Sequence, residues 1–368
     1  MKIKKIHIKN YKSLVDFELE NLKAFCAFVG PNASGKSNIF EALEFMIYVV
    51  KYSVEAPLFF RGKNSILSYN NKPLDNSYTS KNFIFSDVEF QDRIRINFIG
   101  TFTQNDEEKF PNFTSVGNYW IENDPPQKPQ LPIFEIRDYN KRKEFISNWT
   151  NNNETYENDF ENFIDNFSRI FIGNPKLIRI NESPPALNLL PDASNLSQII
   201  GKVFENDEVR NDFIEWLGIL IPEFRNIEIQ KSNIDGSFEF FLYEKSSKKP
   251  FPKYLISDGT YNILSLMAAV YQTDQPQFLC IEEPENGLHP QAIELLVDFF
   301  REQCEEKGHY IWLNTHSPTL VRCLEFDEII LVNKINGETK AKQLTKEDEI
   351  NIKTDEAWLS NALGGGVS

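Results

Sequence analysis

Residues 24–50 read AFCAFVGPNASGKSNIFEALEFMIYVV. The first six form a nearly continuous apolar run of the kind found in a strand buried on both faces. From Ile39 onward, apolar residues recur at Leu43, Met46, Ile47 and Val50, the spacing of a helix that buries one face. Between the two lies Gly30–Ser37, GPNASGKS, which fits G-x-x-x-x-G-K-[ST] in the strand, loop and helix setting this loop requires. Backbone N–H groups of such a loop point at phosphate oxygens, and the dipole of the following helix favours their charge. The candidate phosphate-cradling residues are therefore Gly30, Pro31, Asn32, Ala33, Ser34, Gly35, Lys36, Ser37 and Asn38. Lys36 is expected to reach the β- and γ-phosphates, and Ser37 to hold Mg²⁺.

A second stretch, Leu279–Pro290, reads LCIEEPENGLHP and sets Glu282, Glu283 and Glu285 directly behind another apolar run. Adjacent carboxylates repel, so such a cluster is either a solvated acidic turn or the seat of a divalent cation. The loop upstream favours the cation, because phosphate-bound Mg²⁺ takes a carboxylate anchor at a neighbouring strand end and hydrolysis takes another to orient water. Glu282 is the candidate on the metal side and Glu283 the candidate general base. Glu285 lies beyond Pro284 in the following turn. NTHSP, Asn314–Pro318, follows the strand-like YIWL and places His316 at a further strand end, where open α/β sheets bind ligands. His289 orders its turn with Pro290, while His7 and His309 carry no signal. A fourth stretch, Ile256–Thr260, reads ISDGT and precedes an apolar-periodic helix, with Ser257 or Asp258 as its N-cap.

The bulk properties bound the rest. A chain of 368 residues, 41% hydrophobic and 25% charged, is expected to be a soluble, lobed globular protein. No apolar run reaches membrane-spanning length, and the start MKIKKIHIKNYKSL is basic and alternating, unlike a signal peptide, so a cytoplasmic location is expected. Four cysteines without a C-x-x-C pair read as reduced core residues. A net charge of −15 disfavours tight autonomous binding to DNA, although Lys2, Lys4, Lys5, Lys9 and Lys12 leave a local basic patch open. Strand patterns run from about residue 58 to 103, a proline-rich loop is expected over 104–132, and 140–222 turns helical. From 226 strands alternate with helices, which predicts a parallel sheet covered on both faces. The expected division is 1–135 and 223–345 for two halves of one head, with a helical insertion at 136–222 and a tail at 346–368.

In this order, and broken by a helical insertion, GPNASGKS, ISDGT, CIEEPENGLHP and NTHSP resemble the ABC-type ATPase heads of the RecF, SMC and OLD branch. The opening IKKIHIKNYKSL is similar to that group's first strand, and together these motifs cover most of the chain. The resemblance implies an α/β, ABC-type P-loop ATPase head with a mixed central sheet, N-terminal antiparallel strands and a helical insertion. It implies ATP and Mg²⁺ as cofactors and hydrolysis to ADP and phosphate, with Lys36, Glu283 and His316 catalytic and His316 the switch histidine. Ser257 and Gly259 would belong to a signature that touches ATP held by another subunit, hence a homodimer or higher homo-oligomer with composite sites.

The chain departs from that family pattern in three places. L-S-G-G-Q becomes I-S-D-G-T, with Asp258 and Thr260 in place of a Gly and the Gln; the acidic pair is Glu282-Glu283, one methylene longer on the metal side; and the glutamine that often bridges metal and lid has no fixed place, Gln91 and Gln104 being guesses at it. Too few residues follow NTHSP for the Toprim nuclease domain of OLD-type proteins. EEPENGLHP and the Gly-rich WLSNALGGG resemble the ATPase partners of bacterial two-gene anti-phage systems. The expected function is an ATP-hydrolysing dimeric head that regulates or scaffolds a separate nuclease or toxin from a neighbouring gene. The alternatives are a RecF-like repair ATPase that clamps DNA and an ATP-gated assembly with slow turnover.

Overall fold

A computed structural model describes residues 3–52, 83–90, 94–102, 113–121, 134–135, 165–172, 188–231, 236–348, 353–360 and 362. Lys2, Gln91 and Gln104 lie outside them. The first half holds β1 (Ile3–Tyr11), β2 (Leu14–Glu20), β3 (Phe25–Val29), α1 (Lys36–Tyr52), β4 (Phe83–Phe90), β5 (Ile94–Phe102), β6 (Phe113–Ile121), β7 (Phe134–Glu135) and β8 (Phe167–Ile170). Helices α2 (Leu196–Val203) and α3 (Asp207–Leu220) lead to β9 (Phe224–Lys231), β10 (Phe238–Glu244) and β11 (Phe251–Pro252). The last part runs α4 (Asp258–Tyr271), β12 (Phe278–Glu282), α5 (Pro290–Glu306), β13 (Tyr310–Thr315), α6 (Pro318–Arg322), β14 (Ile329–Ile335), β15 (Glu338–Gln343) and α7 (Thr354–Leu359).

The sheet that carries the motifs has the order β15-β14-β3-β13-β12-β8. All its pairs are parallel except β14 with β15. Every residue of β3, β12 and β13 is buried, as expected when helices cover both faces. The alternation of side chains along a strand divides the core in two. Cys26, Phe28, Cys280 and Trp312 face α1 and pack with Phe40, Leu43 and Met46. Ala27, Val29, Leu279, Ile281, Ile311 and Leu313 point the other way, into a cluster built with α4 and α5. Because β3, β12 and β13 are parallel neighbours, GPNASGKS, the acidic turn and NTHSP leave the sheet at the same edge. The topology thus gathers three separated motifs.

A second sheet, β2-β1-β4-β5-β6-β7, is antiparallel throughout, and a third, β11-β10-β9, packs against α2. Two features differ from the sequence expectation. Phe113–Ile121, inside the span read as a proline-rich loop, is strand β6, and its β-branched and aromatic residues sit between prolines that frame the strand. Phe167–Ile170, inside the span read as a helical insertion, is β8, the edge strand of the motif-bearing sheet. The helices α2 and α3 fall in that span too, and their Leu196, Ile200, Phe213 and Leu217 join the α4–α5 core. Beyond the sheets, α7 docks on α6 through Arg322 Nε, which donates to Asp355 Oδ2 at 2.8 Å, and Thr354 Oγ1, which donates to the Val321 carbonyl at 2.7 Å. Among the described residues, no helix is long and apolar enough to cross a membrane.

Candidate nucleotide site

The loop Gly30–Ser37 is shaped by close backbone approaches. A Cβ on Gly30 would lie 2.1 Å from the Val332 carbonyl oxygen of β14. Gly35 has φ +100°, and a Cβ there would stand 1.9 Å from Thr339 Oγ1 of β15. Ala33 takes up the left-handed region with φ 64°. A relay of hydroxyls fixes the loop from outside: Asn38 Nδ2 donates to Ser13 Oγ (2.7 Å), Ser13 and Thr339 share a bond of 2.6 Å, and Thr339 Oγ1 donates to the Ser34 carbonyl (3.0 Å). Lys36 Nζ donates to the Gly30 and Pro31 carbonyls at 2.6 and 2.9 Å. Burial pushes its pKa down to about 8, against the opposing pull of Glu283, Glu285 and Glu282.

At the end of β12, Glu282 shares a face with Cys280 and so points toward α1. Its Oε2 accepts from Ser37 Oγ in a short hydrogen bond and from Asn314 Nδ2 at 3.3 Å, and Asn314 Nδ2 also lies 3.1 Å from Ser37 Oγ. Asn314 is the register partner of Glu282 on β13, so sheet pairing brings it there. The other oxygen, Oε1, accepts from Arg169 Nε at 2.6 Å and is also in contact with Arg169 Nη2. Arg169 stands opposite Cys280 in the β8–β12 register. Its Nη1 lies 3.3 Å from Glu44 Oε2 and 3.9 Å from Glu41 Oε2. Ser37, Glu41 and Glu44 fall at i, i+4 and i+7, one stripe of α1. The Tyr11 hydroxyl and Lys12 Nζ hold Glu41 from its other side, at 3.1 and 2.5 Å.

Glu283 follows in a left-handed conformation, φ 49°, with its N–H on the Asn314 carbonyl at 2.8 Å. Such a backbone is uncommon for a residue other than glycine and turns the chain sharply at the strand end. Glu283 Oε2 accepts from Asn286 Nδ2 at 3.0 Å, and Oε1 lies 3.3 Å from His316 Nδ1. Glu285 is buried, which raises its pKa, and its Oε1 accepts from Thr315 Oγ1 at 2.5 Å. It ties the acidic turn to the strand end that carries His316.

Ser257 is the N-cap of α4 and accepts from the Thr260 N–H at 3.1 Å. Gly259 packs so closely on the acidic turn that a Cβ would lie 2.5 Å from the Gly287 carbonyl oxygen. Buried Asn262 donates to the Pro284 and Asn286 carbonyls at 3.0 and 2.8 Å, so the ISDGT helix grips the turn that follows Glu283. Just before the cap, Tyr254 and Leu255 are 79% and 61% exposed, a pair of large apolar side chains facing outward. His289 caps α5 by accepting from the Gln291 N–H. His309 is buried and lowered to about 4 by its loss of water, with Nδ1 accepting from the Gln277 N–H.

Lys36, Ser37, Glu282, Glu283 and His316 therefore converge, and Ser257 and Gly259 stand at the start of a helix joined to the same turn. Sequence reading passed over Arg169, Asn314, Asn262 and Thr339. One signal was available for Arg169: the helix α1 sets Glu41 and Glu44 among apolar neighbours, and buried carboxylates require a cation. The oxygen set fits Mg²⁺. Ser37 Oγ and Glu282 Oε2 meet at one point, and the buried atoms Asn314 Oδ1, Ser34 Oγ and Glu285 Oε2 have no hydrogen-bond partner. Among the described residues, no group of three His, Cys, Asp or Glu side chains is arranged to hold a metal by itself. Mg²⁺ held by one or two protein oxygens together with substrate phosphates needs no such group.

Comparison with known proteins bears on the family and the fold. The family model described as "AAA domain, putative AbiEii toxin, Type IV TA system" matches residues 25–322. An ATP/GTP phosphatase of Helicobacter pylori is 23% identical over 372 residues, covering 94% of this chain and 93% of that protein. The fold is similar to an SMC head bound to the C-terminal winged-helix domain of ScpA, with TM-score 0.54, 16% identity, and 96% and 100% of the two chains covered. It is also similar to an SMC head with an extended coiled coil bound to the C-terminal domain of ScpA from Pyrococcus furiosus, with TM-score 0.52, 14% identity, and 94% and 97% covered.

Proposed function

The chain belongs to this AAA-domain family of P-loop ATPases, and on that footing we propose that it is the ATP-hydrolysing head of a two-component system, working as a dimer that regulates a separate effector protein in anti-phage defence. One observation carries the catalytic part of this reading: Ser37 Oγ, Glu282 Oε2 and Asn314 Nδ2 meet within hydrogen-bond distance although they come from three separate elements, α1, β12 and β13. Bound Mg²⁺ would supply charge neutralisation on the β- and γ-phosphate oxygens. Lys36 leaves its two loop carbonyls for the phosphates. Glu283 takes the proton of the attacking water, and His316, 3.3 Å from Glu283, aligns that carboxylate and senses the γ-phosphate.

The dimer draws support from the exposed Tyr254 and Leu255 beside the Ser257 cap, an outward apolar surface next to the residues that would touch ATP on a second subunit. The effector role rests on the resemblance to two-gene defence ATPases and on solved heads of the same fold that carry a separate ScpA domain. The basic start that favours the DNA-clamp alternative is partly matched by carboxylates, at three of its lysines. Lys5 pairs with Glu18 and Glu20, Lys9 with Asp16, and Lys12 with Glu41.

The test is ATP turnover by the purified protein, with and without duplex DNA, beside Lys36→Ala and Glu283→Gln, with light scattering to follow oligomeric state. Loss of a general base lowers turnover by about 10²–10⁴-fold. The expected result is that loss in Glu283→Gln, no turnover in Lys36→Ala, and no response to DNA. Strong stimulation by DNA would overturn the effector reading in favour of the clamp.

A further inference from the structure

The carboxylate Glu282 is one methylene longer than the aspartate usual at this position, and its head can swing about an additional bond. Two oxygens that rotate freely would offer a cation several modes of binding. Here Nε and Nη2 of Arg169 both address the same oxygen, Oε1, which leaves Oε2 alone on the side of Ser37 and Asn314. The guanidinium is itself held, with Nη1 toward Glu44 and Glu41 on the stripe of α1 that begins at Ser37. The side chains of Arg169, Glu282 and Glu44 are 4%, 1% and 4% exposed, so bulk water has little access to these contacts.

We propose that Arg169 is a positioning residue for the metal: it occupies one oxygen of Glu282, leaves the other toward Ser37, and so makes the longer and more mobile carboxylate present a single metal-facing oxygen. This rests on the ATPase reading above. Both donors of the fork matter to it, because a lysine in its place brings its charge from one atom and does not reproduce the two N–H groups that occupy Oε1. Glu44 and Glu41 act one step further out, by orienting the fork.

The test uses Mn²⁺ in place of Mg²⁺, with its binding to the protein–nucleotide complex read by electron paramagnetic resonance. Binding of a fluorescent ATP analogue in EDTA is measured alongside. Partners of metal ligands typically change metal affinity by about 10–100-fold when replaced. The expected result for Arg169→Lys is a loss of that size in Mn²⁺ affinity, with nucleotide binding in EDTA within about twofold of the wild type, since the phosphate loop is untouched. The variant Arg169→Gln with Glu44→Gln keeps the local net charge unchanged and should show the same loss, which answers the objection that Arg169→Lys fails to fold. Wild-type Mn²⁺ affinity in both variants would overturn the proposal while leaving the ATPase reading intact. Failure of the wild-type protein to bind nucleotide or Mn²⁺ would overturn that reading and this inference together.

Discussion

The two halves of the site are built on opposite principles. Around the phosphate loop, charge is buried and matched: Arg169 with Glu282 and Glu44, Lys12 with Glu41, and Lys36 on the loop's own carbonyls. Around Ser257, among the described residues, no such network is present. The ISDGT helix is fixed by an uncharged cap, a glycine-on-glycine contact and one buried asparagine, and it exposes Tyr254 and Leu255. The first half is preorganised within one chain, where unpaired charge would be heavily penalised. The second is held without a buried ion pair and faces outward, where another molecule can complete it. The joint between them is the turn Pro284–Gly287, which Asn262 and Gly259 hold from one side and Glu283 and Glu285 from the other.

Two glycine substitutions break this comparison most sharply. Gly35→Ala places a Cβ 1.9 Å from Thr339 Oγ1 on a backbone at φ +100°, where an L side chain is strained whatever the space. A destabilisation of roughly 3 kcal/mol is expected, from strain and overpacking together, with loss of nucleotide binding. Gly259→Ala meets the Gly287 carbonyl at 2.5 Å, a backbone atom that moves only with the turn. The expected destabilisation is about 1–3 kcal/mol. Nucleotide binding should survive in this variant while turnover falls, because the acidic turn and not the phosphate loop is displaced. Urea unfolding midpoints and binding of a fluorescent ATP analogue separate the two outcomes, and loss of binding in Gly259→Ala would mean that the halves are not independent.

Asn262→Ala sharpens the same joint by removing the buried donor that the Pro284 and Asn286 carbonyls share, in a turn whose first half is buried. The expected loss is about 1–2 kcal/mol in urea unfolding. Its turnover should resemble that of Gly259→Ala, since both free the segment that carries Glu283 and Glu285. A variant that lost stability but kept full turnover would show that the grip of α4 on the turn is structural only.

What the sequence disclosed follows from distance along the chain. GPNASGKS, the paired glutamates and NTHSP are contiguous, and each carries its own setting of strand, loop or helix, so both the fold class and the convergent residues were legible. Arg169 was not, because its role exists only through the β8–β12 register, and its short strand is embedded in a span dominated by polar and helical patterns. The same holds for β6, whose alternation is framed by prolines. Ser257 could be read as a cap from its own neighbours. The need for glycine at 259 could not, because the atom it avoids belongs to Gly287 in another motif. Contacts between motifs were the hidden layer, while the motifs themselves were plain.

The smallest expected effect concerns the proton on Lys36. Burial lowers its pKa to about 8, whereas three carboxylates nearby favour its charge and do not fully compensate. In the free protein the buried ammonium is therefore unfavourable below about pH 8, and this penalty fades as pH rises from there toward the ordinary lysine value, a window in which the unfolded chain holds the extra proton. Polyphosphate reverses the balance, because its negative charge favours the ammonium form. Binding at pH 8 should take up roughly half a proton per site. Affinity should then weaken as pH rises above 8. Calorimetric titrations with an ATP analogue in buffers of different ionisation enthalpy measure the uptake directly. Lys36→Arg supplies the control, since a guanidinium stays charged throughout this range and its binding should carry no proton from position 36. Uptake that persists in Lys36→Arg would assign the proton to another group and would remove the contrast between a phosphate half tuned by buried charge and a signature half held without it.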